Sequence, residues 1–173
     1  MMLEIERKYL LDRMPVVPVH AETWRIEQGY LEIQMDGGNE ALMTGEPVEV
    51  GGRVRRAVSM DGLVILTHTI KRGVGLVREE LERPINIRQF QRVWRNPAAF
   101  RLRKTRYRVA VGDRVWEVDE FEDLDMVLAE VELPSRDAET VIPPWLANHI
   151  VREVTDEPAY TNHAIARRLA VGG

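Results

Sequence analysis

The chain has 173 residues, a length that fits one domain (residues 1–173) with a sizeable core. Its 24 basic and 28 acidic residues leave a net charge of −4, which argues against nonspecific nucleic-acid binding, and 45% hydrophobic residues argue against disorder. There is no cysteine, so disulfides and thiolate metal sites are excluded, and no apolar stretch approaches the ~20 residues that span a bilayer.

Taken in chain order, residues 2–11 read as a strand, without the apolar run of a signal peptide. A cytoplasmic location is therefore expected, with no membrane and no nucleic-acid partner. Pro15 and Pro18 mark an irregular connection. A second strand, over 23–34, carries Tyr30. Met35 to Gly45, with Asp36-Gly37-Gly38-Asn39, reads as a loop and the most mobile segment. Further strands are expected over 48–59, 63–72, 76–84, 100–111, 114–122 and 126–134. Asn86 is placed to cap a helix with Ile87, Phe90, Val93 and Trp94 on one face. Ser135 is read as the cap of a short helix interrupted by Pro143-Pro144, and Asn162 as the cap of a last one bearing Ile165, Ala166 and Leu169.

The strands carry an unusual charge pattern. Glu4-Ile5-Glu6-Arg7-Lys8, Arg53-Val54-Arg55, Arg78-Glu79-Glu80-Leu81-Glu82, Glu117-Val118-Asp119 and Glu130-Val131-Glu132 each place charges two residues apart. Residues two apart in a strand share a face. Hairpin parity extends the argument, because opposed residues also share a face. A two-residue turn at Gly112-Asp113 opposes Arg108 to Glu117 and Arg106 to Asp119. A turn centred between Leu124 and Asp125 opposes Asp119 to Glu130 and Glu117 to Glu132. A turn at Val74-Gly75 sets Lys71 beside Arg78. Agreement at the remaining hairpin requires a three-residue loop, Met60-Asp61-Gly62, with Gly62 left-handed.

One face then gathers Glu4, Glu6, Glu80, Glu82, Glu117, Asp119, Glu130 and Glu132 with Lys8, Arg53, Arg55, Lys71, Arg78, Lys104, Arg106 and Arg108. For any single pair, a solvated ion pair is an adequate explanation. For the whole set it is a poor one. Carboxylates without thiolates suit Mg²⁺ or Mn²⁺, and clustered arginines and lysines suit phosphate oxygens. A dry core cannot hold so many charges. The expected fold is therefore α+β, mainly β: an eight-stranded antiparallel barrel, closed or nearly closed, with a wet interior and flanking helices. Leu3, Ile5, Val54, Val58, Trp116, Val118, Val131 and Leu133 fall on its outer face.

The opening Glu4-x-Glu6-x-Lys8 resembles the signature of the CYTH superfamily, the triphosphate tunnel metalloenzymes. The resemblance continues in order through Gln28-Gly29-Tyr30-Leu31, Arg53-Val54-Arg55, Thr69-Ile70-Lys71 and Arg78-x-Glu80-x-Glu82. It runs on through Lys104-Thr105-Arg106-Tyr107, Glu117-Val118-Asp119, Ala129-Glu130-Val131-Glu132 and Tyr160-Thr161-Asn162. It implies divalent-metal binding by Glu4, Glu6, Glu80, Glu82, Asp119, Glu130 and Glu132. It implies triphosphate binding by Lys8, Arg53, Arg55, Lys71 and Arg106, with Arg78 in support. It also implies a catalytic pair, Tyr30 and Lys104, as in compact bacterial inorganic triphosphatases. Both members of that pair are expected to point into the tunnel, where cations would lower the relevant pKa values. None of His20, His68, His149 and His163 has a metal-ligand spacing, and all are read as nonligands.

The implied activity is metal-dependent hydrolysis of a linear triphosphate, inorganic tripolyphosphate first, to pyrophosphate and phosphate. Three alternatives stand beside it: a class IV-type adenylate cyclase, a thiamine triphosphatase and a noncatalytic polyphosphate-binding module. The sequence fixes neither the choice between Mg²⁺ and Mn²⁺ nor the oligomeric state, for which a homodimer is one option.

Overall fold

The structure, a computed structural model, describes residues 2–31, 52–72 and 75–172. The 35–45 loop of the sequence reading lies outside these residues. Among the described residues, nine strands form one antiparallel sheet: β1 (Met2–Leu11), β2 (Glu22–Tyr30), β3 (Arg53–Ser59), β4 (Val64–Arg72), β5 (Val77–Pro84), β6 (Phe100–Val111), β7 (Arg114–Phe121), β8 (Val127–Glu132) and β9 (Ile150–Glu153). The order β5-β4-β3-β2-β6-β7-β8-β1, with β5 pairing back to β1, closes the first eight into a barrel.

Closure depends on β1. One edge of β1 pairs with β8 over Glu6–Leu11. The other edge is shared. Met2 to Ile5 pair with β5, and Tyr9 to Leu11 pair with β9. The Glu6 amide still donates to Leu76 on the β5 side, while the Lys8 carbonyl accepts from Val154 after β9. β9 thus satisfies the stretch of β1 that β5 leaves uncovered, as buried backbone groups require. It is an addition to the eight strands expected.

The hairpins explain the inward charge set. Val111 opposes Arg114 across the Gly112-Asp113 turn, so Arg108 meets Glu117 and Arg106 meets Asp119 as expected. The Met60-Asp61-Gly62 loop is also present. Gly62 has φ +89°, and the Ser59 amide and carbonyl bond Leu63 and Gly62 across it. Two registers differ from expectation by one pleat. Glu117 opposes Glu130, not Glu132, and Lys71 opposes Glu80, not Arg78. A shift of two residues keeps every side chain on its face, so the charges still converge.

Among the described residues, three α-helices and a short 3-10 turn at Pro158–Tyr160 complete the fold. α1 (Ile87–Trp94) begins with a capping box between Asn86 and Gln89 and buries Phe90 and Val93 against Val54 outside the barrel. α2 (Pro144–Ala147) places Leu146 in the outer cluster of Tyr9, Trp116, Val118 and Val131. Ser135 caps no helix: the chain there makes only a turn, with Ala138 bonding the Ser135 carbonyl, and helix starts at Pro144, where a ring-fixed φ is tolerated. α3 (Asn162–Val171) is capped by Thr161, whose hydroxyl accepts from the Ala164 amide, so the cap lies one residue before Asn162. α3 does not cover the outer wall. Its Ile165 and Ala166 pack on Tyr30, Leu102 and Leu128, which point inward, and so stop one end of the barrel. No helix among the described residues is long and apolar enough to cross a membrane.

Candidate active site

The barrel encloses a cavity of about 1090 Å³. Its wall is divided by strand order. The contiguous strands β5, β1, β8 and β7 bring Glu80, Glu82, Glu4, Glu6, Glu132, Glu130 and Glu117. The other half, β6, β2, β3 and β4, brings Arg106, Arg108, Tyr30, Arg53, Arg55 and Lys71. Lys8, Arg78 and Arg114 are cations set among the acids. The charges are therefore sorted, as well as gathered.

In the acidic half the carboxylates differ. Glu4 is held by Lys71 at 2.8 Å and Arg78 at 3.2 Å. Glu80 also meets Lys71, at 3.0 Å, and Glu6 meets Arg78 at 3.2 Å. Glu130 lies between Lys8 at 3.0 Å and Arg106 at 3.1 Å. Burial raises its proton affinity, but Lys8, Arg106 and Lys104 outweigh burial and hold it well below the usual carboxylate range. Glu132 makes no ion pair among the described residues. It opposes Glu6 directly across β1 and β8. Burial, then Glu4, Glu117 and Glu80, push the Glu132 pKa up. Burial and the Glu130 charge push Glu6 to about 7.

Asp119 and Lys104 do not reach the cavity. Both side chains are fully buried. Asp119 accepts from Arg106 Nε and Nη2, each at 2.7 Å, and from Lys104 Nζ at 2.5 Å. Parity put Lys104, Arg106 and Arg108 on one face, and so they are, but at different depths. The expectation that Tyr30 and Lys104 both open into the tunnel holds for Tyr30 alone. Lys104 opposes Ile26, four residues along β2 from Tyr30. Tyr30 lines the cavity beside the cations, yet burial outweighs Arg53, Lys8 and Arg55 and raises its pKa. Its phenol is thus a proton donor. Burial likewise lowers Lys104 to about 8, against the opposing pull of Asp119.

In the basic half, Arg53 and Arg55 approach Glu82 at 3.6 and 3.5 Å, and Thr69 donates to Glu82 at 2.8 Å. Glu82 therefore serves the cations more than the acids. Arg106 also pairs with Glu117. Among the cavity residues that the sequence reading of the site left out are Thr161, Asn162 and His163, at the start of α3. The His163 ring lies 5.2 Å from that of Tyr30. A helix-start signal locates such residues in the chain but says nothing of the barrel mouth they enter.

The donor set fits a hard cation: all oxygen, with Glu6 and Glu132 opposed and the proton affinity of each raised first by burial and then by neighbouring carboxylates. Among the described residues no three of these acids are already gathered into a chelating group. Glu6 makes the fit testable. Its folded pKa lies above its unfolded 4.5, so the fold binds the extra proton between 4.5 and about 7. Stability of the metal-free protein should fall as pH rises through that window. A dication replaces the proton, so the stabilisation by Mg²⁺ should grow over the same window. Thermal melts with and without Mg²⁺ from pH 5 to 8 check this, and a constant gap would remove Glu6 from the metal site.

No family model matches the chain. An inorganic triphosphatase from Nitrosomonas europaea is 32% identical over 170 residues, spanning 95% of this chain and 97% of that protein. An inorganic triphosphatase from Acetivibrio thermocellus is 38% identical over 68 residues, 38% of this chain and 41% of that one. A crystal structure of an inorganic triphosphatase superposes with a TM-score of 0.54 at 30% identity, covering 96% of this chain and 95% of the other. With near-full-length similarity added to a closed eight-stranded barrel and its sorted interior charges, the chain belongs to the triphosphate tunnel metalloenzymes of the CYTH superfamily, alongside the bacterial inorganic triphosphatases.

Proposed function

We propose that this chain hydrolyses a linear triphosphate, inorganic tripolyphosphate first, to pyrophosphate and phosphate in a divalent-metal-dependent reaction. The observation that carries the reading is the two-sided wall: carboxylates on β5, β1, β8 and β7 face cations on β6, β3 and β4. A polyphosphate needs cations along its length, and the carboxylates opposite would hold a divalent metal beside it. Arg53, Arg55, Arg106 and Lys8 are assigned to the phosphates, with Lys71 and Arg78 poised between phosphate and acid. Glu4, Glu6, Glu80 and Glu132 are the residues that would hold Mg²⁺ or Mn²⁺, with Glu130 beside them. The metal, when bound, neutralises phosphoryl oxygens and lowers the pKa of its water. Asp119 and Glu82 are assigned instead to the cations they already pair with.

Within this scheme Lys8 and the arginines spread the charge of the terminal phosphoryl group as water attacks in line. Tyr30 keeps its own proton and lies beside the cations, where it can hydrogen-bond the leaving pyrophosphate. Tyr30→Phe should lower kcat by ~10²-fold, with substrate binding little changed. Steady-state kinetics checks this, and a normal kcat would leave Tyr30 as packing only.

The proposed setting is one soluble cytoplasmic domain acting on a small-molecule substrate. The deciding experiment is a panel of tripolyphosphate, ATP and thiamine triphosphate with Mg²⁺ or Mn²⁺, followed by phosphate release and cAMP formation. Phosphate from tripolyphosphate supports the reading. cAMP from ATP indicates a cyclase, preference for thiamine triphosphate indicates that alternative, and binding without turnover indicates a noncatalytic module.

A further inference from the structure

The buried polar contacts beneath the cavity form a closed circuit. Asn162 Oδ1 accepts from Lys104 Nζ at 3.1 Å. Lys104 donates to Asp119, and Asp119 accepts the Arg106 guanidinium. Arg106 Nη2 reaches Glu130 at 3.1 Å, and Glu130 meets Lys8 at 3.0 Å. Lys8 Nζ then donates to the Tyr160 carbonyl at 3.3 Å. The circuit starts and ends within three residues of the chain, at the entry to α3. Four of its members, Lys8, Arg106, Glu130 and Asn162, line the cavity, whereas Lys104 and Asp119 lie beneath it.

We propose that Asn162 is a positioning residue: through the buried Lys104 and Asp119 it sets the Arg106 guanidinium, so that the docking of α3 and the binding of a polyphosphate are coupled. Lys104 on this account holds the helix and does not touch the substrate. The physical reason is satisfaction of a buried ammonium. Lys104 is fully buried, and loss of one of its acceptors leaves a charged donor unpaired, which is costly. Asp119 cannot compensate without disturbing Arg106, because both its oxygens already accept from that guanidinium. Thr161, not Asn162, caps the helix, so an Asn162 substitution leaves the helix start in place. Asn162 also lines the cavity, so it is the loss read without ligand that reports the contact with Lys104.

The inference rests on the triphosphatase reading only for its kinetic readout. Asn162→Ala should raise KM for tripolyphosphate by ~10-fold, with kcat changed less than ~2-fold, because the lost contact acts on binding. Amide exchange over residues 164–168, read without ligand, should accelerate by ~10-fold in the same variant. Asn162→Asp keeps an acceptor for Lys104 and should retain wild-type exchange. The inference is overturned by wild-type exchange in Asn162→Ala, or by faster exchange equally in both variants. A wild-type KM beside faster exchange overturns the coupling as well. Exchange needs no substrate, so failure of wild type on tripolyphosphate would count against the function alone.

Discussion

Glu132→Gln should abolish metal-dependent turnover, by ~10³-fold at ordinary metal concentration, while leaving the metal-free protein as stable as wild type or more so. The two effects have one source. Glu132 opposes Glu6, and burial with neighbouring Glu4, Glu117 and Glu80 raises its pKa. A carboxylate whose folded pKa is raised destabilises the fold when ionised, so at neutral pH the charge-free amide relieves repulsion. The same change removes a hard oxygen donor at nearly constant volume. Wild type should therefore gain melting temperature on adding Mg²⁺, and the variant should gain less. Glu130→Gln offers the contrast. Glu130 is ionised between Lys8 and Arg106, so its amide should lower stability even without metal. If Glu132→Gln keeps normal activity, Glu132 leaves the metal set.

Side-chain face was legible in the sequence because period two is a strict property of strands. Glu4 with Glu6, Arg53 with Arg55, and Glu130 with Glu132 needed only their spacing. Turn chemistry added the loop at Gly62, since a left-handed residue there restores one face to Lys71 and Arg55. Depth was not legible. Lys104 and Arg106 sit two residues apart on one strand, yet one is sealed and the other lines the cavity. Which of them reaches the cavity depends on what plugs the barrel, and α3 comes nearly sixty residues later. The periodicity of Ile165, Ala166 and Leu169 marked an apolar helix face but not the surface it meets. β9 was hidden for a related reason. Ile150-Val151-Arg152-Glu153 is too short to announce a strand, and it pairs only because β5 leaves part of β1 uncovered. The sign of the Tyr30 shift was missed because nearby cations are visible in sequence, whereas burial is a property of the folded wall.

Asp119 separates a counterion from a metal ligand. Sequence resemblance puts it with the metal carboxylates, whereas its bonds go to Arg106 and Lys104. If it is their counterion, Asp119→Asn leaves two buried cations short of one negative charge and should cost about 3–5 kcal/mol in chemical unfolding. Burial alone would raise the Asp119 pKa, but Arg106 and Lys104 outweigh it and hold the carboxyl below its ordinary 3.8. Its stabilising contribution is thus present above that value and lost as pH falls through the folded pKa. The variant should accordingly lose part of the wild-type sensitivity to acid below pH ~4. The metal supplies the discriminating measurement. A counterion role leaves the Mg²⁺-dependent rise in melting temperature intact in Asp119→Asn, displaced to lower temperature as a whole. Loss of that rise, with little loss of metal-free stability, would return Asp119 to the metal site and require Arg106 to give up its carboxylate when the metal binds.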